Sequence, residues 1–237
     1  MIRIWLIRHA KTKGNLQRRY VGKTDESILE AEKELLTQNA NKIQALLAEK
    51  SKALFFVSPM KRCIETANAM FGDIRYEIVD GFAECDFGDY EYKNYEELKD
   101  ELPYQEFIDS NGMKPFPNGE DGKTFRGRCV QAFLDTIRQA VKSDAVEKKD
   151  DNIVTSVKND DIKDIVIVAH GGTIMAIMEQ CVEPHRDFYD WQVGNKEGFV
   201  LEYDGAMPCT LSGIFDGSVI RRPEMDSTSD CDDRKAD

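Results

Sequence analysis

Apolar positions along the chain fall into two rhythms. Short continuous runs occur at residues 2–7, broken only by Arg3, at 53–57, and at 164–169 around Ile165, Val166, Ile167 and Val168. β-Branched and aromatic residues dominate these runs, so they predict buried strands. Shorter runs predict strands at 76–79 and 199–203 and a weaker one at 212–220. Elsewhere the apolar residues recur every three or four positions. Leu35, Leu36, Ala40, Ile43, Leu46 and Leu47 predict a helix over 29–50 with one buried face. A second helix runs from Met60 to Met70 and ends near Gly72, with Ser58 near its N-cap and Pro59 in its first turn. Phe125, Cys129, Ala132, Phe133, Thr136, Ile137 and Ala140 mark a third over 124–142. A fourth covers 173–182.

Strands alternate with helices, which makes the chain α/β: a three-layer αβα sandwich with a central, mostly parallel sheet. The 237 residues, 41% of them hydrophobic, suffice for one sizeable core. A single domain is expected over 1–224. Residues 10–28 read as a polar loop. Residues 81–122 mix Gly, Pro, aromatic and acidic residues around a helix at 95–102. They form a cap insert where the strand ends gather and ligands bind in such sheets. A charged surface excursion is expected at 143–163, and an acidic, frayed tail at 225–237.

Net charge is -12, with 32% of residues charged. Such a chain is a poor partner for nucleic acid or an anionic membrane. A local arginine cluster still binds phosphate against that background. The six cysteines are scattered without a CxxC pair or metal spacing, and read as reduced thiols. With no leader-like N-terminus and no apolar run near ~20 residues, the expectation is a soluble cytoplasmic protein. Oligomeric state is not specified, a homodimer remaining open.

The chain has three histidines, and two of them, His9 and His170, directly follow strong strand runs. Parallel strands leave their C-terminal ends on one edge, so the two imidazoles can meet there. Arg8 precedes His9, and Arg62 lies one turn into the helix that follows the second strand. Guanidinium forks match phosphate oxygens, and helix N-termini add N–H donors. Gly171 and Gly172 after His170 allow close backbone approach. Taken singly, Arg62 fits a solvated helix face and Glu84 an ordinary loop carboxylate, with Asp86, Asp89 and Glu91 as competitors.

Arg8-His9-Ala10-Lys11-Thr12-Lys13-Gly14-Asn15 resembles the Arg-His-Gly-x-Thr-x-x-Asn signature of the histidine phosphatase (phosphoglycerate mutase-like) superfamily. Ser58-Pro59-Met60-Lys61-Arg62-Cys63-Ile64-Glu65-Thr66-Ala67 resembles its second block. Glu84 to Glu91 resembles its acid block, and Ala169-His170-Gly171-Gly172 its last. The resemblance implies the phosphoglycerate mutase-like fold and a phosphatase without cofactor or metal. It implies His9 as the nucleophile that takes up the phosphoryl group. Arg8, Arg62 and His170 hold the phosphate oxygens, with Asn15, Gly171 and Gly22 in the same pocket, and Glu84 is the proton donor and then the base. Four features depart from the pattern: Ala10 replaces the usual Gly, Tyr92 replaces another, Glu32 stands where a third is customary, and Asp25-Glu26-Ser27-Ile28-Leu29 stands for the usual Asp-x-Pro-Leu-Thr.

Residues 90–121 contain no Arg, which argues against a mutase and against a bisphosphate substrate. The start of the chain, the Tyr20-Val21-Gly22 turn and the Phe116-Pro117-Asn118-Gly119-Glu120 loop resemble the α-ribazole phosphatase group of cobalamin assembly. A small phosphorylated metabolite, with α-ribazole 5′-phosphate as the specific candidate, is the expected substrate. The alternatives are a phosphoglycerate mutase-type phosphotransferase and a non-catalytic phosphate-binding module. His185 is expected in an exposed loop. Trp191 and Asn195 are open between core and pocket wall.

Overall fold

A computed structural model describes residues 1–142 and 163–223. The tail at 225–237 and all but the last residue of the excursion at 143–163 lie outside the described residues.

The core of the sheet is β1 (Ile2–Arg8), β2 (Ala53–Val57) and β4 (Asp164–Ala169). It is extended by β3 (Glu77–Ile78), β5 (Val182–Glu183), β6 (Gly198–Tyr203), β7 (Cys209–Phe215) and β8 (Ile220–Arg221). The order is β3-β2-β4-β1-β6-β7-β5, with β8 beside β7. β3, β2, β4 and β1 run parallel, as do β5 and β7, whereas β6 is antiparallel to both neighbours. Successive strand residues face opposite sides. Ile4, Leu6, Ile165 and Ile167 therefore pack on α6 (Gly122–Lys142) and α7 (Gly171–Cys181). Trp5, Ile7, Val166 and Val168 pack on α2 (Glu30–Gln44) and α3 (Lys61–Phe71). This is the expected three-layer α/β sandwich.

Several boundaries differ from the sequence reading. The helix predicted to reach residue 50 stops at Gln44. Just beyond it the buried Asp164 carboxylate accepts the Ala48 N–H at 2.7 Å, and Arg3 donates to the Leu46 carbonyl at 3.0 Å. Long-range partners take backbone groups that a continued helix would use. Leu35 is 43% exposed rather than on the buried face. Ser58 is not the N-cap of α3, a position held by Met60. The Asp25 carboxylate caps α3 instead, accepting the Lys61 N–H at 2.8 Å.

The polar loop after β1 contains a helical turn, α1 (Lys13–Leu16), with a capping box between Thr12 and Asn15. The helix expected at 95–102 is two: α4 (Tyr95–Leu98) and α5 (Leu102–Asp109). Pro103 falls in the first turn of α5, where no intrahelical N–H is required. The strand expected at 212–220 resolves into β7 and β8. The cap segment packs around its own apolar cluster of Tyr90, Leu98, Tyr104 and Phe116, against which Tyr20, Phe87 and Phe107 lie.

Candidate active site

β1 and β4 pair in register, Arg8 opposite Ala169, so His9 and His170 emerge side by side. Their ring centroids are 5.2 Å apart. The His9 N–H donates to the Ala169 carbonyl at 3.0 Å, which fixes the backbone at this crossing. The ring is held as well. His9 Nδ1 lies 2.7 Å from the Ala10 carbonyl, an acceptor only, so Nδ1 carries the proton. Nε2 is left with a lone pair. Burial, then the Arg62 and Arg8 charges, hold the His9 pKa well below 6.5. The imidazole is therefore neutral at neutral pH, as a nucleophile must be.

Arg8 lines the cavity above His9. Its Nη1 donates to the Val193 carbonyl at 2.7 Å, while its buried Nε–H has no protein partner. A buried, unpartnered guanidinium N–H beside a neutral imidazole suits an anionic oxygen. Arg62 is fully buried and set behind the wall. Its Nη1 donates to the Thr24 carbonyl at 2.8 Å, and its Nη2 to the Val21 and Gly22 carbonyls at 3.1 and 2.9 Å. Its Nε donates to His170 Nδ1 at 3.2 Å. That bond makes Nδ1 the acceptor, so Nε2 carries the His170 proton and donates to Ser58 Oγ at 2.7 Å. Ser58 Oγ thus serves the second histidine, and at the helix start it accepts only the Met60 N–H at 3.5 Å. Burial and Arg62 also hold the His170 pKa well below 6.5.

Glu84 lines the same cavity. Its carboxyl group accepts the Cys85 N–H at 3.0 Å and the Gly172 N–H, in the first turn of α7, at 3.1 Å. Burial outweighs those bonds and raises its pKa above 4.5. A raised pKa favours the protonated form relative to a free carboxyl group. Its backbone is fixed by Arg128, which donates to the Glu84 carbonyl at 3.0 Å and the Ala83 carbonyl at 2.7 Å while pairing with Glu120. Gly172 has a steric reason to lack a side chain: a Cβ there would lie 2.5 Å from Glu84 Oε1.

Arg8, His9, Asn15, Glu84 and Gly171 share one cavity of about 770 Å³. Asn15 spends its carbonyl oxygen on the Thr12 N–H and the Asn195 amide, both within 3.2 Å. Arg62, His170 and Gly22 are not among the lining residues; they stand behind them. Asn195 braces the His9 carbonyl, Trp191 is core, and His185 is exposed. Asp86 pairs with Lys23 and Asp89 with Asn118, so neither faces His9.

Two arginines in the wall, Arg19 and Arg126, lie outside the Arg-free segment 90–121 and carry no sequence mark of the pocket. Arg19 pairs with Glu97 at 2.9 Å. Arg126 pairs with Glu179 at 3.2 Å and lies 3.8 Å over the Phe188 ring. Both charges are matched by carboxylates. Six aromatic residues also line the cavity: Tyr20, Phe87, Phe107, Phe125, Phe188 and Tyr189. Of the departures from the family pattern, Tyr92 has a backbone φ of 62°, the left-handed region that favours glycine. Its hydroxyl donates to Glu26 at 3.1 Å and its ring lies under Arg19. Glu32 pairs with Lys196 at 2.7 Å. Ala10 is buried and donates its N–H to Thr66.

A neutral imidazole, two arginines and a buried carboxyl group of raised pKa at the edge of this sheet suit phosphoryl transfer through a histidine. The profile of the histidine phosphatase superfamily (branch 1) matches residues 4–212, and the chain belongs to that family. Its activity is that of a phosphatase. A Hydrogenobacter thermophilus protein named "Putative phosphoserine phosphatase 2" is 26% identical over 183 residues, 75% of this chain and 77% of that protein. The α-ribazole phosphatase of Shigella flexneri superposes with a TM-score of 0.68 at 20% identity, covering 89% of this chain and 95% of that one. The phosphoserine phosphatase of Entamoeba histolytica, solved with 3-phosphoglyceric acid, gives 0.67 at 21%, covering 91% and 98%. Among the described residues no helix is long and apolar enough to cross a membrane, and no group of three His, Cys, Asp or Glu forms a metal-ligand set.

Proposed function

We propose that the protein hydrolyses small phosphate monoesters without a metal, through a phosphohistidine at His9. The observation that carries this reading is the 2.7 Å contact from His9 Nδ1 to the Ala10 carbonyl. It leaves Nε2 unprotonated in the cavity that Arg8 and Glu84 also line. Nε2 attacks phosphorus as the ester P–O bond breaks, and Glu84 gives its proton to the departing alkoxide. Water then attacks the phosphohistidine, Glu84 takes a proton from that water, and the P–N bond breaks to release phosphate and neutral imidazole. Arg8, with Arg62 and His170 behind it, stabilises charge on the transferring oxygens.

α-Ribazole 5′-phosphate is the specific substrate within this proposal. An aromatic wall whose arginines are already paired suits a neutral planar leaving group better than a second phosphate or a carboxylate. Residues 1–224 act as one catalytic unit. The test is hydrolysis of p-nitrophenyl phosphate with a chelator present. Wild type turns over and His9→Ala does not; an inert wild type or an equally active variant refutes the mechanism. α-Ribazole 5′-phosphate is then compared with phosphoserine and 3-phosphoglycerate. Equal kcat/KM for all three removes the substrate assignment and leaves the chemistry.

A further inference from the structure

Glu91 sits in the acid block but does not line the cavity, so it is not a rival proton donor to Glu84. Its carboxylate is nonetheless one of the most heavily bonded in the molecule. It accepts the backbone N–H groups of Gly22 at 3.2 Å, Lys23 at 2.8 Å, Thr24 at 3.4 Å and Phe87 at 3.2 Å, and the Thr24 hydroxyl at 2.8 Å.

Two of those N–H groups belong to peptide units whose carbonyls are already accounted for. The Gly22 N–H shares its peptide with the Val21 carbonyl, and the Lys23 N–H shares its peptide with the Gly22 carbonyl. Both carbonyls accept from Arg62 Nη2. In a trans peptide the N–H and C=O point in opposite directions. Two consecutive peptide dipoles therefore stand in line, with the Glu91 carboxylate at their N–H ends and the Arg62 guanidinium at their C=O ends. Each charge stabilises the orientation that serves the other. Thr24 adds contacts to both groups through separate peptide units, giving its N–H and hydroxyl to Glu91 and its carbonyl, which belongs to the next peptide, to Arg62 Nη1. Space around the relay admits only glycine at 22. A Cβ there would lie 2.0 Å from the Cys85 carbonyl oxygen and 2.3 Å from Glu91 Oε1. The bond to the Phe87 N–H ties the same carboxylate to the loop that carries Glu84.

We infer that Glu91 is a positioning residue that acts through the 21–24 peptides to aim the Arg62 guanidinium, and through Phe87 to hold the Glu84 loop. One carboxylate thereby joins the phosphate clamp to the proton donor. The inference rests on the proposed reading in which Arg62 stabilises the phosphoryl group.

Glu91→Gln tests it. The variant keeps the shape of the side chain but replaces one acceptor with an NH₂ that faces donors. Three quantities are measured on the full chain: inhibition by orthophosphate, kcat/KM for an aryl and an alkyl monoester, and Tm. The orthophosphate Ki is expected to rise, and kcat/KM to fall, on the order of 10- to 100-fold, the scale of a misplaced charged group. The alkyl ester suffers more, because its leaving group also needs Glu84. A folded Glu91→Gln with wild-type Ki, or a lowered Tm with unchanged Ki, overturns the inference. Should Glu91→Gln fail to fold, Thr24→Val removes only the hydroxyl bond. A twofold to fivefold rise in Ki is expected, and an unchanged Ki overturns it. Trapping of phosphohistidine in wild type is run alongside. Its absence refutes the proposed mechanism, whereas the orthophosphate Ki judges Glu91 separately.

Discussion

In the proposed mechanism Glu84 is the acid, and replacing it by Gln separates that role from every other part of the site. Glu84 accepts two backbone N–H groups, at 3.0 and 3.1 Å, and is buried. Gln keeps one acceptor and turns an NH₂ toward the other N–H, a structural cost of about 1–3 kcal/mol in stability. The chemical loss is distinct. A positioned acid contributes about 10²- to 10⁴-fold, equivalent to roughly 3–5 kcal/mol of barrier. That loss falls only where the leaving group needs a proton. For an alkyl monoester kcat/KM, which reports the first phosphoryl transfer, drops by the full factor. For p-nitrophenyl phosphate, whose phenolate leaves unaided, kcat/KM changes little. Its kcat still falls, because the same carboxylate must activate water in the second step. Pre-steady-state mixing of Glu84→Gln with p-nitrophenyl phosphate therefore gives a burst of p-nitrophenolate followed by slow turnover. Equal loss of kcat/KM on aryl and alkyl esters, with no burst, would refute the assignment of Glu84 as acid and base.

Two further outcomes follow from the buried histidines. Ser58→Ala leaves the His170 Nε2–H without its 2.7 Å acceptor, so it should cost about 1–3 kcal/mol in urea unfolding and lower kcat/KM through a misplaced His170; an unchanged unfolding midpoint contradicts the tautomer deduced here. His9 and His170 both have folded pKa values well below 6.5, so each stays neutral when folded and gains a proton when unfolded. Their contribution is fully present above pH of about 6.5 and is lost as pH falls through that value toward the folded pKa, by up to roughly 1.4 kcal/mol per pH unit for each. Between pH 6.5 and 5.5 His170→Asn should therefore lose less stability than wild type, and identical slopes would contradict the burial of a neutral imidazole.

The sandwich and the ends of its long strands were legible because each has its own period. β2 and β4 fall where the apolar runs lie, and the two strand-end histidines emerge together because β1 and β4 are in register. What the sequence hid were partnerships across the chain. Nothing near Ala48 signals that a carboxylate at 164 takes its N–H and ends α2 early. Ser58 beside Pro59 carries the mark of a helix cap, and only the fold shows that His170 claims its hydroxyl while Asp25 caps α3. Arg62 was legible as a cation of the site, but its three backbone acceptors at 21, 22 and 24 were not. Arg126 was invisible as a wall residue, because Phe188 and Glu179 reach it only in three dimensions. Tyr92 was readable as a departure from the pattern, and its φ of 62° gives the reason a glycine is usual there.

The central claim is that His9 Nε2 carries the phosphoryl group between substrate and water. Glu84→Gln, slowed in its second step, is mixed with p-nitrophenyl phosphate, quenched in alkali and digested for mass spectrometry. The account predicts a phosphate on the peptide containing His9, labile to acid, stable to alkali, and absent from His9→Ala. A phosphorylated residue elsewhere, or undiminished turnover with no phosphate on His9, would contradict it.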